Sequence, residues 1–198
     1  MSKVKITKIK KKIAPGTPVP TTDNKIGNEV GLWAEDMFRE LGYPINDGPG
    51  PDLPGLEIKT RREGTTSPMS IGSMTANDII NTPWDLTDLK EKMQQIDITK
   101  WDEDIGITVG TDVIDLRSKD SQDRLRDAYE HARTIIKNLQ NLTDGEEVTC
   151  TDVYNDVYFE KRSKNSWQMR ISAAGLKRIK SRTGSESIFS NKALFPDD

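Results

Sequence analysis

The stretch PDLPGLEIKT, residues 51–60, passes from turn-forming residues into a pattern typical of a β-strand. Its proline–glycine pair favours a tight turn. Beyond the turn, apolar and charged residues alternate, and residues two apart in a strand lie on the same face. The pattern therefore predicts a short strand with Glu57 and Lys59 on one face and Ile58 in the core. The turn is expected to return Asp52 to their side.

The remaining sequence predicts one domain of the mixed α/β, or α+β, class. Residues 1–22 are expected to form a basic arm and a proline-rich connector, residues 23–182 the domain, and residues 183–198 a tail. Helical and strand periodicities delimit the elements of the domain. They are a helix over 27–41, strands in 69–75 and in 104–116 with a turn at Gly110, a long helix over 121–142, strands within 148–162 and 166–172, and a basic helix over 173–182.

Only one cysteine, Cys150, and one histidine, His131, occur among the 198 residues. Serine and cysteine hydrolases use a histidine base, and zinc sites need several cysteine or histidine ligands. The composition therefore leaves chemistry by carboxylates, lysine and a hard divalent cation, Mg²⁺ or Mn²⁺. His131 falls within the long predicted helix, where we interpret it as a partly buried structural residue. Trp84 and Trp101 are interpreted as core residues.

Charge is unevenly distributed along the chain, although the formal net charge is only -3. Residues 85–156 are rich in acids, whereas two other segments contain lysine and arginine and no acid. Each basic run alone fits a solvated surface or a polyanionic partner, and the two together favour the partner. Their cations are Lys3, Lys5, Lys8, Lys10, Lys11 and Lys12 in the first segment and Lys161, Arg162, Lys164, Arg170, Lys177, Arg178, Lys180 and Arg182 in the second.

Asp52 and Glu57 are candidate ligands of a metal ion. Two neighbouring carboxylates repel each other, and a hard divalent cation that binds both relieves the repulsion. A bound magnesium ion lowers the pKa of its water and offsets charge on a phosphate oxygen. Lys59 is suited to orient or deprotonate that water and to neutralise the transition state. An acid and a lysine two residues apart are also common in solvated strands, which is the alternative interpretation.

Four segments together resemble the PD-(D/E)xK nuclease superfamily, and more narrowly the MutH mismatch-repair endonuclease and its GATC-cutting restriction relatives. The family's active-site strand has an aspartate, a short turn and then acid-x-lysine-threonine, and its upstream helix has a glycine four residues before a glutamate. The turn after Asp52 is shorter here than in MutH, and no segment resembles the GATC-reading loop. The matching segments are Asp52–Thr60, Asn24-Lys25 with Gly31-Leu32-Trp33-Ala34-Glu35, Asp123–Glu130 and Gln168-Met169-Arg170-Ile171.

The resemblance implies a restriction-endonuclease-like core, in which helices flank a central mixed sheet. It also implies a magnesium-dependent DNA endonuclease that hydrolyses phosphodiester bonds with metal-activated water. Glu29 competes with Glu35 for the role of the helix acid, and we favour Glu35 because of its spacing from the glycine. The implied catalytic residues are Asp52, Glu57, Lys59 and Glu35. The implied metal ligands are Asp52, Glu57, Ile58 and Glu35.

Double-stranded DNA is the implied partner, and a homodimer and an accessory protein of the mismatch-repair type stay open. Arg61 and Arg62 directly follow the active strand, where they could grip phosphates or simply end an exposed strand. No run is long enough to span a membrane, so we expect a cytoplasmic protein of a bacterial or phage-infected cell. The implied DNA-binding residues are Lys25, Arg61, Arg62, Lys161, Arg162, Lys164, Arg170, Lys177 and Arg178.

Two other functions stay open at this point. In the first, the chain is a catalytically inactive nuclease-fold protein that binds DNA through its basic segments. In the second, more distant one, it is a protein-interaction adaptor, which would show no salt-dependent affinity for DNA.

Overall fold

The computed structural model describes residues 14–20, 26–138, 147–149 and 156–183. The helices are α1 (Ile26–Glu40), α2 (Ala76–Asn81), α3 (Asp88–Lys92), α4 (Lys119–Asn138) and α5 (Ala173–Thr183). The strands are β1 (Glu57–Arg62), β2 (Met69–Thr75), β3 (Gln95–Asp102), β4 (Ile107–Asp115), β5 (Glu147–Thr149), β6 (Val157–Ser163) and β7 (Ser166–Ile171). The first of two compact units comprises the described residues up to Thr65 together with Gln95–Asp115, and the second comprises those in Thr66–Gln94 and Leu116–Thr183.

The sheet of the first unit has the strand order β1-β3-β4. β1 runs parallel to β3, and β3 runs antiparallel to β4, so this sheet is mixed. Ile58 of β1 lies in register with Asp97 of β3, and Lys59 lies in register with Ile98. Parallel neighbours need a long crossover connection, and the chain makes this one with Thr66–Gln94 of the second unit.

Helix α1 packs its apolar stripe against the turn and strand that follow it. Phe38 of α1 and Ile58 of β1 belong to one buried cluster, which also contains Leu53 and Leu56. Gly42 follows the helix with φ of 85°, a left-handed conformation that glycine adopts without the steric cost of a Cβ atom. The prediction of a helix over 27–41 is therefore confirmed, with the observed ends one residue earlier.

Residues 14–20 run alongside the beginning of β4. The backbone N–H of Gly16 donates to the carbonyl oxygen of Thr108 at 2.7 Å, and that of Val19 donates to Gly106 at 2.9 Å. This part of the expected connector begins with a turn, in which Thr17 N–H donates to the carbonyl oxygen of Ala14 at 3.0 Å, and Pro18 then forms an isolated antiparallel bridge with Ile107 of β4. The basic arm that precedes it lies outside the described residues.

The sheet of the second unit is antiparallel and has the order β2-β7-β6-β5. Three rings meet in its core, because Tyr129 of α4 lies 5.5 Å from Trp84 and 6.0 Å from Phe159 between ring centroids. The Tyr129 hydroxyl donates to the carbonyl oxygen of Thr82 at 2.9 Å. A buried phenol whose hydroxyl is hydrogen bonded stabilises the packing of α4.

Helices combined with mostly antiparallel strands confirm the α+β class. The described strands form two sheets, whereas the resemblance implies one central mixed sheet. The difference arises because β3, a strand that was not predicted, pairs with both β1 and β4, while β2 pairs with β7. The predicted turn at Gly110 is wrong, since β4 continues through this residue opposite Lys100 of β3.

Several interpretations of single residues are confirmed. Trp84 and Trp101 are both buried, and His131 lies half-buried on α4. Cys150 and the expected tail beyond Thr183 lie outside the described residues. No helix in the described part of the chain is long and apolar enough to cross a membrane.

Candidate active site

A tight turn carries Asp52 back to the beginning of β1. Leu53 and Leu56 exchange two backbone hydrogen bonds, of 2.9 and 2.8 Å, and Gly55 between them has φ of 71°. The backbone N–H of Ile58 then donates to Oδ2 of Asp52 at 2.6 Å. The proline–glycine turn therefore places the Asp52 carboxylate directly beside the strand, as the sequence predicts.

Glu57 and Lys59 lie two residues apart on the same face of β1. The Lys59 ammonium donates to Oε1 of Glu57 at 2.5 Å. The Glu57 side chain is only 1% exposed, whereas that of Lys59 is 26% exposed. A buried carboxylate is thus held by a lysine that reaches solvent, and the pair defines the centre of the candidate site.

Glu35 of α1 belongs to the same electrostatic environment. Burial raises the pKa of Glu35, and the negative charge of Asp52 raises it further, while Arg39 and Lys59 act in the opposite direction. The Arg39 guanidinium donates to Oε2 of Glu35 at 3.2 Å. The charges of Asp52 and Lys59 therefore both act on Glu35.

Glu29, the alternative helix acid, lies in the first turn of α1. It is six residues before Glu35, which corresponds to about 9 Å along a helix axis. The interaction of Glu35 with Asp52 is the observation that favours Glu35 as the acid of this site.

The donor set fits a hard divalent cation by its chemistry. Asp52, Glu57 and Glu35 supply carboxylate oxygens, and Ile58, whose side chain is buried in the core, can contribute only its backbone carbonyl oxygen. The repulsion between Asp52 and Glu35 is what a bound cation would relieve. Within the described ranges, no three acidic, histidine or cysteine side chains are already gathered closely enough to hold a metal ion. Binding would therefore require the carboxylates to exchange their present partners, Lys59 and Arg39.

The two arginines that end β1 differ in position. Arg61 lies two residues beyond Lys59, on the same face, and its guanidinium donates to the carbonyl oxygen of Thr65 at 3.0 Å. Arg62 lies on the opposite face, is exposed, and forms an ion pair with Glu103. Lys25, the remaining candidate near α1, lies outside the described residues.

The basic segment of the second unit is partly neutralised by acids that precede it in the chain. Arg162 and Arg170 both pair with Glu160, and Arg178 pairs with Asp156. Burial alone would raise the pKa of Glu160, but hydrogen bonds from Arg170 and Arg162 outweigh burial and lower it.

The other DNA-binding candidates of this segment are lysines. Lys164 is exposed at the turn between β6 and β7, Lys177 is exposed on α5, and Lys161 is half-buried on β6. Three arginines of the run are thus committed to acids, and the run is less basic than its sequence suggests.

Sequence reasoning did not identify two charged residues of the first unit. Arg39 contacts Asp36, Asp47 and Glu35, and only its spacing of four residues from Glu35 signals the contact. Asp97 is 1% exposed, and neither of its carboxylate oxygens has a hydrogen-bond partner within the described part of the chain. Burial, and then the charge of Asp112, raise the pKa of Asp97 well above its ordinary value.

The chain matches no known protein-family model, and no curated protein is significantly similar to it.

Proposed function

We propose that this protein is a magnesium-dependent DNA endonuclease with a restriction-endonuclease-like core of the PD-(D/E)xK type. The observation that carries the proposal is the hydrogen bond from Ile58 N–H to Asp52, which places that carboxylate beside Glu57 and Lys59. Glu35 adds a third acid that interacts with Asp52. Three acids and one lysine around the beginning of a strand suit metal-assisted hydrolysis of a phosphodiester.

In this proposal Asp52, Glu57, Glu35 and the backbone carbonyl of Ile58 would hold the ion. Bound there, magnesium supplies an acidified water and neutralises charge on the phosphate, and manganese can substitute. Asp52 stays oriented by the Ile58 N–H. Lys59 reaches solvent, and its ammonium is therefore placed to orient the attacking water and to neutralise charge in the transition state.

Double-stranded DNA is the proposed substrate. Lys59 and Arg61 lie on one face of β1, and lysines 164 and 177 are exposed in the second unit. Such cations bind the phosphate backbone without reading sequence. We further propose that the protein is located in the cytoplasm of a bacterial or phage-infected cell. It would act either as a homodimer or with an accessory protein of the mismatch-repair type. The cleavage products can distinguish these two arrangements.

The test is cleavage of supercoiled plasmid, methylated and unmethylated, with magnesium. Wild type is expected to nick or linearise the plasmid, and Asp52→Ala and Lys59→Ala are expected to lower the rate by about 100-fold or more. Asp104→Asn is the matched control because Asp104 is an exposed acid in the turn between β3 and β4. Absence of any cleavage by wild type, or equal rates for Lys59→Ala and Asp104→Asn, would sink the proposal.

A catalytically inactive DNA-binding protein is the second candidate. The supporting observation is that Glu57 is 1% exposed and that its Oε1 is already engaged by Lys59, so the negative charge of this carboxylate has a cation partner without metal. Calorimetric titration separates the two functions. An endonuclease should bind magnesium through a site that Asp52→Asn weakens, whereas an inactive module should bind DNA with a magnesium response that the substitution does not change.

A further inference from the structure

Arg39, in the last turn of α1, contacts three acids through its two terminal nitrogens. Its Nη1 donates to Oδ1 of Asp36 at 2.7 Å. Its Nη2 donates to Oδ1 of Asp47 at 2.5 Å and to Oε2 of Glu35 at 3.2 Å. Glu35 is the acid of the candidate site, and its contact with Arg39 is the longest of the three. The guanidinium is therefore held mainly by two acids that do not belong to the site.

The spacing along α1 by itself favours a closer pair between Glu35 and Arg39. An acid four residues before an arginine is well placed for an ion pair on a helix. Asp47 lies in the loop after α1 and binds the same nitrogen as Glu35. A shorter charge-assisted bond is the stronger one, so Asp47 draws Nη2 away from Glu35.

The pKa shifts of the two partners agree with this order of contacts. The hydrogen bond to Asp36 is the largest cause of the raised pKa of Arg39; burial opposes it, and Asp47 contributes more than Glu35 does. The pKa of Glu35 is raised by burial and by Asp52 in spite of Arg39. A close ion pair would favour the charged form of Glu35 and lower its pKa. Arg39 thus compensates Glu35 only in part.

Asn46 organises the loop that carries Asp47. Its backbone N–H donates to the carbonyl oxygen of Asp52 at 2.8 Å. Its side-chain Oδ1 accepts from the N–H of Gly48 at 2.9 Å, and its Nδ2 donates to the carbonyl oxygen of Pro51 at 3.2 Å. These bonds close the loop on both sides of Asp47, so this acid is presented from a loop with its own internal hydrogen bonds.

We propose that Asp36 and Asp47 retain Arg39 when Glu35 binds a divalent cation, and that this arginine network thereby sets the cation affinity of the site. The inference rests on the proposed function and concerns the metal site of that endonuclease. Release of Glu35 gives up one long hydrogen bond, because the guanidinium keeps two carboxylate partners. Without those two acids, Arg39 would close on Glu35 and compete with the cation for the same carboxylate.

The first experiment is calorimetric titration of the metal-free full chain with magnesium. The double variant Asp36→Asn with Asp47→Asn is compared in the wild-type and Arg39→Met backgrounds, because the second background isolates the loss of the acids' own charge. Magnesium affinity is expected to fall about 10-fold when Arg39 is present and about threefold or less when it is absent. Equal losses in the two backgrounds would overturn the proposal.

Two single variants complete the titration. Arg39→Met alone should bind magnesium at least as tightly as wild type, because it removes a cation that competes for Glu35. A several-fold loss in this variant would mean that Arg39 supports the site, and it would also overturn the proposal. Asp120→Asn removes an exposed acid that is paired with Arg124 on α4, and it should stay within about twofold of wild type.

The second experiment needs no metal. A double-mutant cycle of Glu35→Gln and Arg39→Met, followed by urea unfolding, measures the coupling between these two side chains. The coupling should change the unfolding equilibrium constant about twofold or less with both aspartates present, and about fivefold with both replaced by asparagine. The same coupling in both cases would refute the retention of Arg39 by the aspartates. If the double asparagine variant unfolds, Asp47→Asn alone gives the same comparison, since Asp47 is 82% exposed.

The outcomes for the two proposals are separable. If wild type cuts DNA and both backgrounds lose magnesium affinity equally, the endonuclease stands and the role of the arginine network is refuted. If wild type binds magnesium without cutting DNA, the endonuclease fails and the calorimetry still decides the role of the network. If wild type binds no magnesium, the metal site and the role of the network in cation affinity both fail.

Discussion

The candidate active site and the hairpin β6–β7 both bring acids near cations, but the pKa values of Glu35 and Glu160 shift in opposite directions in the two regions. In the site, burial and Asp52 raise the pKa of Glu35 despite Arg39 and Lys59. In the hairpin, Arg170 and Arg162 outweigh burial and lower the pKa of Glu160. Acids exceed their compensating cations in the first region and are exceeded in the second. The first region therefore has a second acid acting on Glu35, whereas the second pairs one acid with two arginines.

The largest expected effect comes from breaking the ion pair at the centre of the site. Lys59→Met removes the cation that pairs with Glu57, which is 1% exposed, and breaking a buried ion pair typically costs about 3–5 kcal/mol. Urea unfolding followed by circular dichroism measures the loss. Because Lys59 is partly exposed to solvent, we expect a loss of about 3 kcal/mol.

The matched control for Lys59→Met is the double variant Glu57→Gln with Lys59→Met. It removes both charges, so most of the stability should return while cleavage stays lost. Equal stabilities of the single variant and wild type would mean that the Glu57–Lys59 contact is not a buried pair, and the contrast with the hairpin would disappear.

Features of the site could be predicted where their sequence signals are local, and could not be predicted where they depend on contacts between distant parts of the chain. A proline–glycine turn and alternating residues are local, so the return of Asp52 to β1 could be predicted from residues 51–60. Strand β3 was missed because its burial pattern is nearly continuous, with polar Asp97 and Thr99 at buried positions. Its parallel pairing with β1 is also non-local. A fully buried strand is typically identified by a continuous apolar run, and polar residues at buried positions interrupt that run in β3.

The two arginines that end β1 and the basic run of residues 161–182 also differ in how far the sequence predicts their positions. Strict alternation would have separated Arg61 from Arg62, since residues one apart in a strand point to opposite faces. The neutralisation of the basic run was harder to predict. Its acids, Glu160 and Asp156, lie just before the segment, and only cross-strand and strand-to-helix contacts show which arginines they bind.

The next largest effect on stability is expected from substitution of Asp97. It tests whether the first unit tolerates a buried carboxylate without a compensating cation. Its pKa is raised in the folded state by burial and by Asp112. A raised folded pKa means that stability falls as pH rises from the unfolded value, about 3.9, up to the folded one. Asp97→Asn removes this fall, so at pH 8 it should be more stable than wild type by about 2 kcal/mol and similar to it near pH 3. Thermal melts across that range measure the difference, with Asp104→Asn as the exposed control. Parallel pH profiles for wild type and Asp97→Asn would contradict the assignment.

The smallest effect is expected in the hairpin, because Glu160 has two arginine partners. Arg170 is 18% exposed and Arg162 is 52% exposed, so Arg170→Met should cost about 1 kcal/mol and Arg162→Met about 0.5 kcal/mol or less. The lowered pKa of Glu160 contributes stability above its unfolded value, about 4.3, and that stability disappears as pH falls through the folded pKa. Each single variant should keep part of this dependence, since one arginine remains, and the double variant should lose it. Urea unfolding at pH 3 and pH 7 measures all three. If one single variant by itself abolishes the pH dependence of stability, Glu160 has only one effective arginine partner. The surplus of cations in the hairpin, relative to the active site, is then smaller than the structure indicates.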